Sequence, residues 1–295
     1  MADQFDVIEQ GERGRRRWIG LAAVLALLLI PIIGLITSRD PEPQPRVTPT
    51  PAPIRSLTRI GGAPNILSVP ARAKGGDEVI EVVFPHGVRA EVRYPAELGL
   101  DEMGSRPFQG FWIDGSYRQF TAPYSGEFEV TKGGEPIRNY TPNVTLWPRQ
   151  AGSGHYGQVL LFAFGRWRLA MYDRGQGLTF DQRMALAKGL KGRVTKDGYL
   201  VLSAEEPVRL ARPGEIAEGE PAGPQLWFGG GAGEMVALVP TPDCRKRGTA
   251  PAVLRGRSAD SVCRGDVLVA VAGSPSYRKK AIEGIRVTLK RGGPG

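Results

Sequence analysis

The chain has only two cysteines, two histidines and five methionines among its 295 residues. That scarcity narrows its chemistry. His86 and His155 lie far from each other and from Cys244 and Cys263, so the sequence offers no zinc-ligand spacing. The cysteines do not form Cys-x-x-Cys, which removes a redox dithiol. No Gly-x-Ser-x-Gly elbow occurs, and no glycine-rich loop ends in Lys-Ser or Lys-Thr. Residues 229–233 (GGGAG) precede an expected strand rather than a helix, so they read as a hairpin loop. Residues 152–157 (GSGHYG) put Ser153 near His155, but sequence neighbours rarely form a nucleophile–base pair. A glycine-rich turn is the reading taken there. No cofactor, metal site or catalytic residue is expected, and no internal repeat is present.

Charge is missing altogether from residues 18–38, WIGLAAVLALLLIPIIGLITS. A bilayer core takes roughly 20 apolar residues as one helix, so this run is expected to be a transmembrane signal-anchor. A cleaved signal has an apolar region of about 7–15 residues ending in Ala-x-Ala-like positions, which this run lacks. No cysteine lies near it, so lipid attachment at a processed cysteine is excluded. Pro31 is tolerable, because neighbouring groups re-satisfy the freed carbonyl in a membrane helix. Arg13, Arg15, Arg16 and Arg17 crowd its N-terminal side, whereas Arg39 and Arg46 on the far side sit beside Asp40 and Glu42. Basic residues stay on the cytoplasmic side, so residues 1–17 are expected inside and residues 39–295 outside. A tail of that length buries no core and is expected to hold no folded cytoplasmic domain.

Residues 39–54 form a proline-rich linker, with six prolines between 41 and 53. Polyproline rises about 3.1 Å per residue, so the segment is a spacer of roughly 30–40 Å. Residues 55–295 read as an extracytoplasmic β-rich α+β domain of mostly antiparallel strands, one large unit or two. Segments 78–84 and 88–94 flank Pro85-His86-Gly87 as a hairpin, and alternation in the second gives one buried and one wet face. Segments 158–164 and 167–172 flank Gly165-Arg166, with turn chemistry of type II′. Further strands are expected at 199–203, 225–228, 234–240, 266–272 and 284–290. One clear helix is expected near 179–190. Thr179 and Gln182 form its capping box, Phe180, Met184, Ala187 and Leu190 its core stripe, and Gly192 its stop. A short helix is expected near 276–283, and residues 212–223 read as a loop. Trp112, Trp147, Trp167 and Trp227 are assigned to core packing.

The two cysteines lie in the exported part, so Cys244 and Cys263 are expected to form a disulfide. Two sequons, at Asn139 and Asn143, matter only in a host that glycosylates exported chains. Asp101-Glu102, Glu205-Glu206 and the trio Glu215, Glu218 and Glu220 are carboxylates in expected loops, the raw material of a glycoside hydrolase.

The net charge of +9 is not spread evenly. Residues 55–243 are balanced, at 21 basic against 21 acidic, while residues 244–295 carry 12 basic against 3 acidic. Arg245, Lys246, Arg247, Arg278, Lys279 and Lys280 are the expected patch for an anionic partner. Such a field attracts anionic polymers or lipid head groups. The outside location disfavours nucleic acid, and so does the lack of interleaved aromatics apart from Tyr277. Anionic wall polymer, lipid head groups or an acidic protein fit better, beside the bilayer that holds residues 18–38. The expectation is a single-pass, membrane-tethered, non-catalytic module that binds or organises envelope material. The alternatives are an envelope hydrolase with dispersed site residues and a sensory ectodomain of a membrane complex.

Overall fold

Leu67 pairs with Ser105 across both backbone bonds, and two residues earlier the side chain of Asn65 exchanges two bonds with the backbone of Arg168. These bonds clamp the polypeptide to the large sheet at Asn65 and Leu67. The structure, a computed structural model, describes residues 65–148, 156–175, 177–230, 233–244 and 249–290. The tail 1–17, the apolar run 18–38, the linker 39–54, Ser153, His155, Arg245, Lys246 and Arg247 lie outside the described residues. Among the described residues no helix is long and apolar enough to cross a membrane.

The domain is β-rich and antiparallel throughout, as its alternating and continuous apolar segments predict. A four-stranded sheet has the order β1 (Arg72–Lys74), β2 (Asp77–Val83), β3 (Arg89–Pro95) and β19 (Arg286–Lys290), so it joins the first and last of the described strands. A second, larger sheet begins with β17 (Ala259–Arg264), β18 (Val267–Ala272), β16 (Met235–Pro240) and β15 (Gln225–Gly229). It continues through β4 (Ser105–Ile113), β5 (Ser116–Thr121), β9 (Trp167–Arg174), β8 (Tyr156–Phe164), β7 (Val144–Trp147) and β6 (Arg138–Thr141). The far half of β4 pairs instead with β12 (Val208–Leu210). Two small hairpins complete the strands, β10 (Leu190–Val194) with β11 (Leu200–Ala204), and β13 (Ile216–Ala217) with β14 (Glu220–Pro221). Among the described residues four α-helices accompany them, α1 (Leu100–Met103), α2 (Glu127–Thr131), α3 (Phe180–Gly189) and α4 (Pro275–Gly284).

Strands β16 and β18 read MVALVP and VLVAVA, with every residue buried. A strand buried on one face alternates, and one buried on both does not. Val236, Leu238, Val267, Val269 and Val271 face the main core, with Ile80, Val82, Val92 and Tyr94 of the four-stranded sheet. Met235, Ala237, Val239, Leu268 and Ala270 face a second core with Phe108, Trp227, Leu254 and Cys244. Helix α4 packs on β3, β17 and β18, and its Tyr277 and Ala281 join the main core.

Turn chemistry sets the hairpins. Gly165 has φ +55° between β8 and β9, a conformation costly for other residues. Asp114 and Gly115 have φ +47° and +75° between β4 and β5, the two left-handed residues of a type I′ turn.

Several sequence expectations need correction. The capping box of α3 forms, but the helix ends at Gly189 rather than at Gly192, which lies in β10. Phe180 is 49 % exposed, because as the first residue of the helix it projects over β6. There it meets the ring of Tyr140 and the guanidinium of Arg138. The buried side of α3 is Leu186 and Ala187, followed by Leu190. Residues 212–223 hold the β13–β14 hairpin rather than an unbroken loop. Strands β4 to β7 were not expected at all.

Burial also encloses charge. Asp173 is 1 % exposed and accepts from Arg118 Nε at 3.3 Å, Arg183 at 2.9 Å and the Leu178 amide at 2.7 Å. This ties β5, β9 and the start of α3 together. Removing one partner of a buried pair costs about 3–5 kcal/mol. Asp173→Asn is therefore expected to destabilise the domain by about that amount in urea titration. A loss below about 1 kcal/mol would show that the two arginines are solvated well enough without it.

Candidate anion-binding surface

The C-terminal segment begins at a staple. Cys244 and Cys263 form a disulfide, with Cα atoms 5.8 Å apart. Cys244 is buried in the second core, and Cys263 packs against it from β17. The bond pins the edge strand β17 to the turn after β16, over the side of the sheet that the four-stranded sheet leaves open. This is the pairing the sequence predicts.

The basic residues that follow are mostly engaged. Arg255 pairs with Glu220 and Lys280 with Glu97. Arg278 bonds Asp260 at 2.8 Å and the Gly273 carbonyl at 2.8 Å, and its side chain is only 18 % exposed. Arg264 reaches the carbonyls of Ile282 and Ile285, closing the C-terminal end of α4. Desolvation, followed by the nearby positive charge of Arg286, lowers the Arg264 pKa. Lys279 is exposed on α4 and makes no ion pair with another described residue. Of the six residues expected as a patch, the structure therefore brings Arg278, Lys279 and Lys280 onto one helix, two of them already paired. Arg245, Lys246 and Arg247 lie outside the described residues.

Two cations at the end of the segment, Arg286 and Lys290, stand instead on β19, beside β3. Lys290 bonds Glu81 at 2.7 Å, which also receives Arg72 at 3.1 Å. Those hydrogen bonds and charges, led by Lys290, hold Glu81 below the usual carboxylate range. The sequence hid this surface, because β19 joins strands some two hundred residues away.

Of the carboxylates that could have served hydrolysis, Glu215, Glu218 and Glu220 are each held by an arginine, whereas Asp101 accepts from the Tyr94 hydroxyl at 3.3 Å. Glu215 takes a two-pronged pair from Arg209, at 2.7 and 2.9 Å. That pair, with the Arg212 amide, brings the Glu215 pKa down to about 2 against the opposing effect of burial. Glu218 pairs with Arg174 and Glu220 with Arg255. Among the described residues no three His, Cys, Asp or Glu side chains gather as a metal would require. Among the described residues, shallow pockets of about 430 and 440 Å³ are found at two places. One lies between Asn143, Phe164 and Lys191, the other between Glu234, Arg257 and Ser274. Asn139 of the first sequon is exposed on β6, and Asn143 of the second accepts from Thr141 at 3.0 Å. Trp147, Trp167 and Trp227 are buried as core residues, and Trp112 lies half-buried against Tyr117.

Comparisons with protein families, with curated proteins and with solved structures each found no match to this chain.

The disulfide generates a prediction. Closing a loop of about 20 residues contributes on the order of 3 kcal/mol on chain-entropy grounds. For a domain of this size that corresponds to a Tm roughly 6–12 °C lower after reduction. Differential scanning calorimetry with and without reductant reads the difference, and an unchanged Tm would mean the cover over the second core holds without the bond.

Proposed function

We propose that this chain is a single-pass, membrane-tethered module whose exported domain binds anionic envelope material, without catalysis, through its basic C-terminal segment. The observation that carries the reading is the confinement of the whole +9 to residues 244–295. A concentrated field draws in polyanions and lipid head groups. The charge-free run 18–38, the four arginines before it and the proline-rich spacer after it support the tether and its direction. The disulfide agrees with an oxidising compartment. The Arg–Glu pairs that occupy Glu215, Glu218 and Glu220 count against the hydrolase alternative, because those carboxylates are neutralised where they stand.

Protease added to intact cells is expected to degrade residues 55–295 and spare the N-terminal tail. Protection of the domain in cells whose surface the protease reaches would reverse the orientation. The full chain in neutral detergent is expected to bind an anionic polymer with an affinity that falls steeply as salt rises, since screening shortens to about 8 Å at 0.15 M. Binding that ignores salt, or no binding at low salt, would remove the anionic partner.

A further inference from the structure

We propose that the outer face of the four-stranded sheet is the docking surface for a linear phosphodiester polymer, laid across the strands along Arg72, Arg93 and Arg286. The inference rests on the reading that the domain engages anionic material, and it moves the contact from the clustered runs of the C-terminal segment to a surface built by the fold.

Register supplies the geometry. Arg72 faces Val79, Val79 faces Arg93, and Arg93 faces Arg286, so the four positions form one row across all four strands. Directly paired residues share a face of a sheet. On β3 the inner face is Ala90, Val92 and Tyr94, all buried, which turns Arg89, Glu91 and Arg93 outward. Neighbouring strands lie about 4.8 Å apart, so the row spans about 14 Å, with a guanidinium on its first, third and fourth strands. The side chains of Arg72 and Arg93 are 68 % and 45 % exposed, and Arg286 is exposed too.

The face is short of acid. It presents Arg72, Lys74, Arg89, Arg93, Arg286 and Lys290 against Asp77, Glu81 and Glu91, with Asp197 reaching Arg89 from a neighbouring turn at 3.3 Å. Glu81 is shared by Arg72 and Lys290, and Asp77 holds Arg93 at 2.6 Å. Arg286 bonds only the carbonyls of Glu283 and Ile285 among the described residues. Arg93 stands directly opposite Arg286, and Arg89 opposite Lys290. Like charges facing each other across strands destabilise a sheet. A phosphate lying between them removes that repulsion, and the exposed pairs it displaces are worth little. The guanidinium fork matches the two free oxygens of a phosphodiester.

The same face discriminates among polyanions. Glu81 lies opposite Glu91 in the next row, about 7 Å along the strands. A continuous anionic plane such as a membrane would press charge onto those acids, whereas a single chain follows the arginine row and avoids them. Among the described residues of these four strands no aromatic side chain stands on this face, so nucleic acid bases find nothing to stack on. A phosphodiester chain without bases is the occupant left.

The test uses the full chain in neutral detergent, with polyglycerol phosphate as probe and phosphatidylglycerol vesicles and single-stranded DNA as competitors. The triple variant R72Q/R93Q/R286Q is expected to lose at least tenfold in affinity. The slope of log affinity against log salt should become shallower by about 2, as expected when three phosphate contacts are lost. The variant R245Q/K246Q/R247Q/R278Q/K279Q/K280Q should lose less than the triple. Arg286→Gln alone should weaken binding while leaving Tm unchanged or higher, a combination that a purely structural arginine would not produce; it also carries the test should the triple fail to fold. Binding lost in the six-residue variant but kept in the triple overturns this inference and leaves the anionic-partner reading standing. No binding by the wild type overturns both. Vesicles or DNA competing as well as the polymer, through the same three arginines, overturn the choice of occupant.

Discussion

Two neighbouring strands near one end of the large sheet, β16 and β18, are apolar on both faces, and water has to be kept from both. The rest of the architecture answers that requirement. On one side the four-stranded sheet and α4 close the main core. On the other side the described residues supply no second sheet, and the segment around Leu254, held by Cys244 and Cys263, lies there. Cover made of loop lacks a ladder of hydrogen bonds, so a covalent bond stands in for one. The basic segment therefore has a structural duty of its own. It supplies the cover, the edge strand β17, the helix α4 and the last strand of the smaller sheet.

That arrangement explains how charge is distributed. The C-terminal segment folds back onto a neutral body, and several of its cations find carboxylates there. Arg255 meets Glu220, Lys280 meets Glu97 and Lys290 meets Glu81. Local runs of basic residues are consumed in docking the segment. Lys279 on α4 and Arg286 on β19 are left without an ion pair to another described residue, and strand pairing sets Arg286 directly opposite Arg93.

Legibility in the sequence followed burial pattern. The β2–β3 and β8–β9 hairpins were readable because apolar residues alternate or turn residues intervene, and β15, β16 and β18 because their runs are short, apolar and glycine-bounded. Strand β4 was not, because SRPFQGFWI carries Arg, Pro, Gln and Gly where a core strand should be apolar. Three of the four have a tertiary reason. Arg106 donates to the carbonyls of Ala122 and Gly229 with its guanidinium between the rings of Tyr124 and Trp227. Gln109 bonds the carbonyl of Ala211. Gly110 leaves room for the carbonyl of Ala222, which would lie 2.3 Å from a Cβ. Its partner β5 was announced by Asp114-Gly115, the strongest short hairpin signal in the chain, beside a strand too polar to be noticed. Charge sums located the basic segment but not its partners, since ion pairs spanning 183 and 209 positions leave no local trace. The arginine row needs the register of β19 on β3, which no window of sequence contains.

The clamp at Asn65 and Leu67 has a mechanical consequence. A pull arriving along the chain from the N-terminal side meets the Asn65–Arg168 bonds and the Leu67–Ser105 pair before it reaches β1. Ser105 opens β4 and Arg168 lies in β9, two strands of the large sheet. Load is thereby delivered to the larger sheet, and the three-residue β1 behind the clamp is shielded from being peeled away. The row of arginines that begins at Arg72 keeps its spacing while the chain in front of it is under tension.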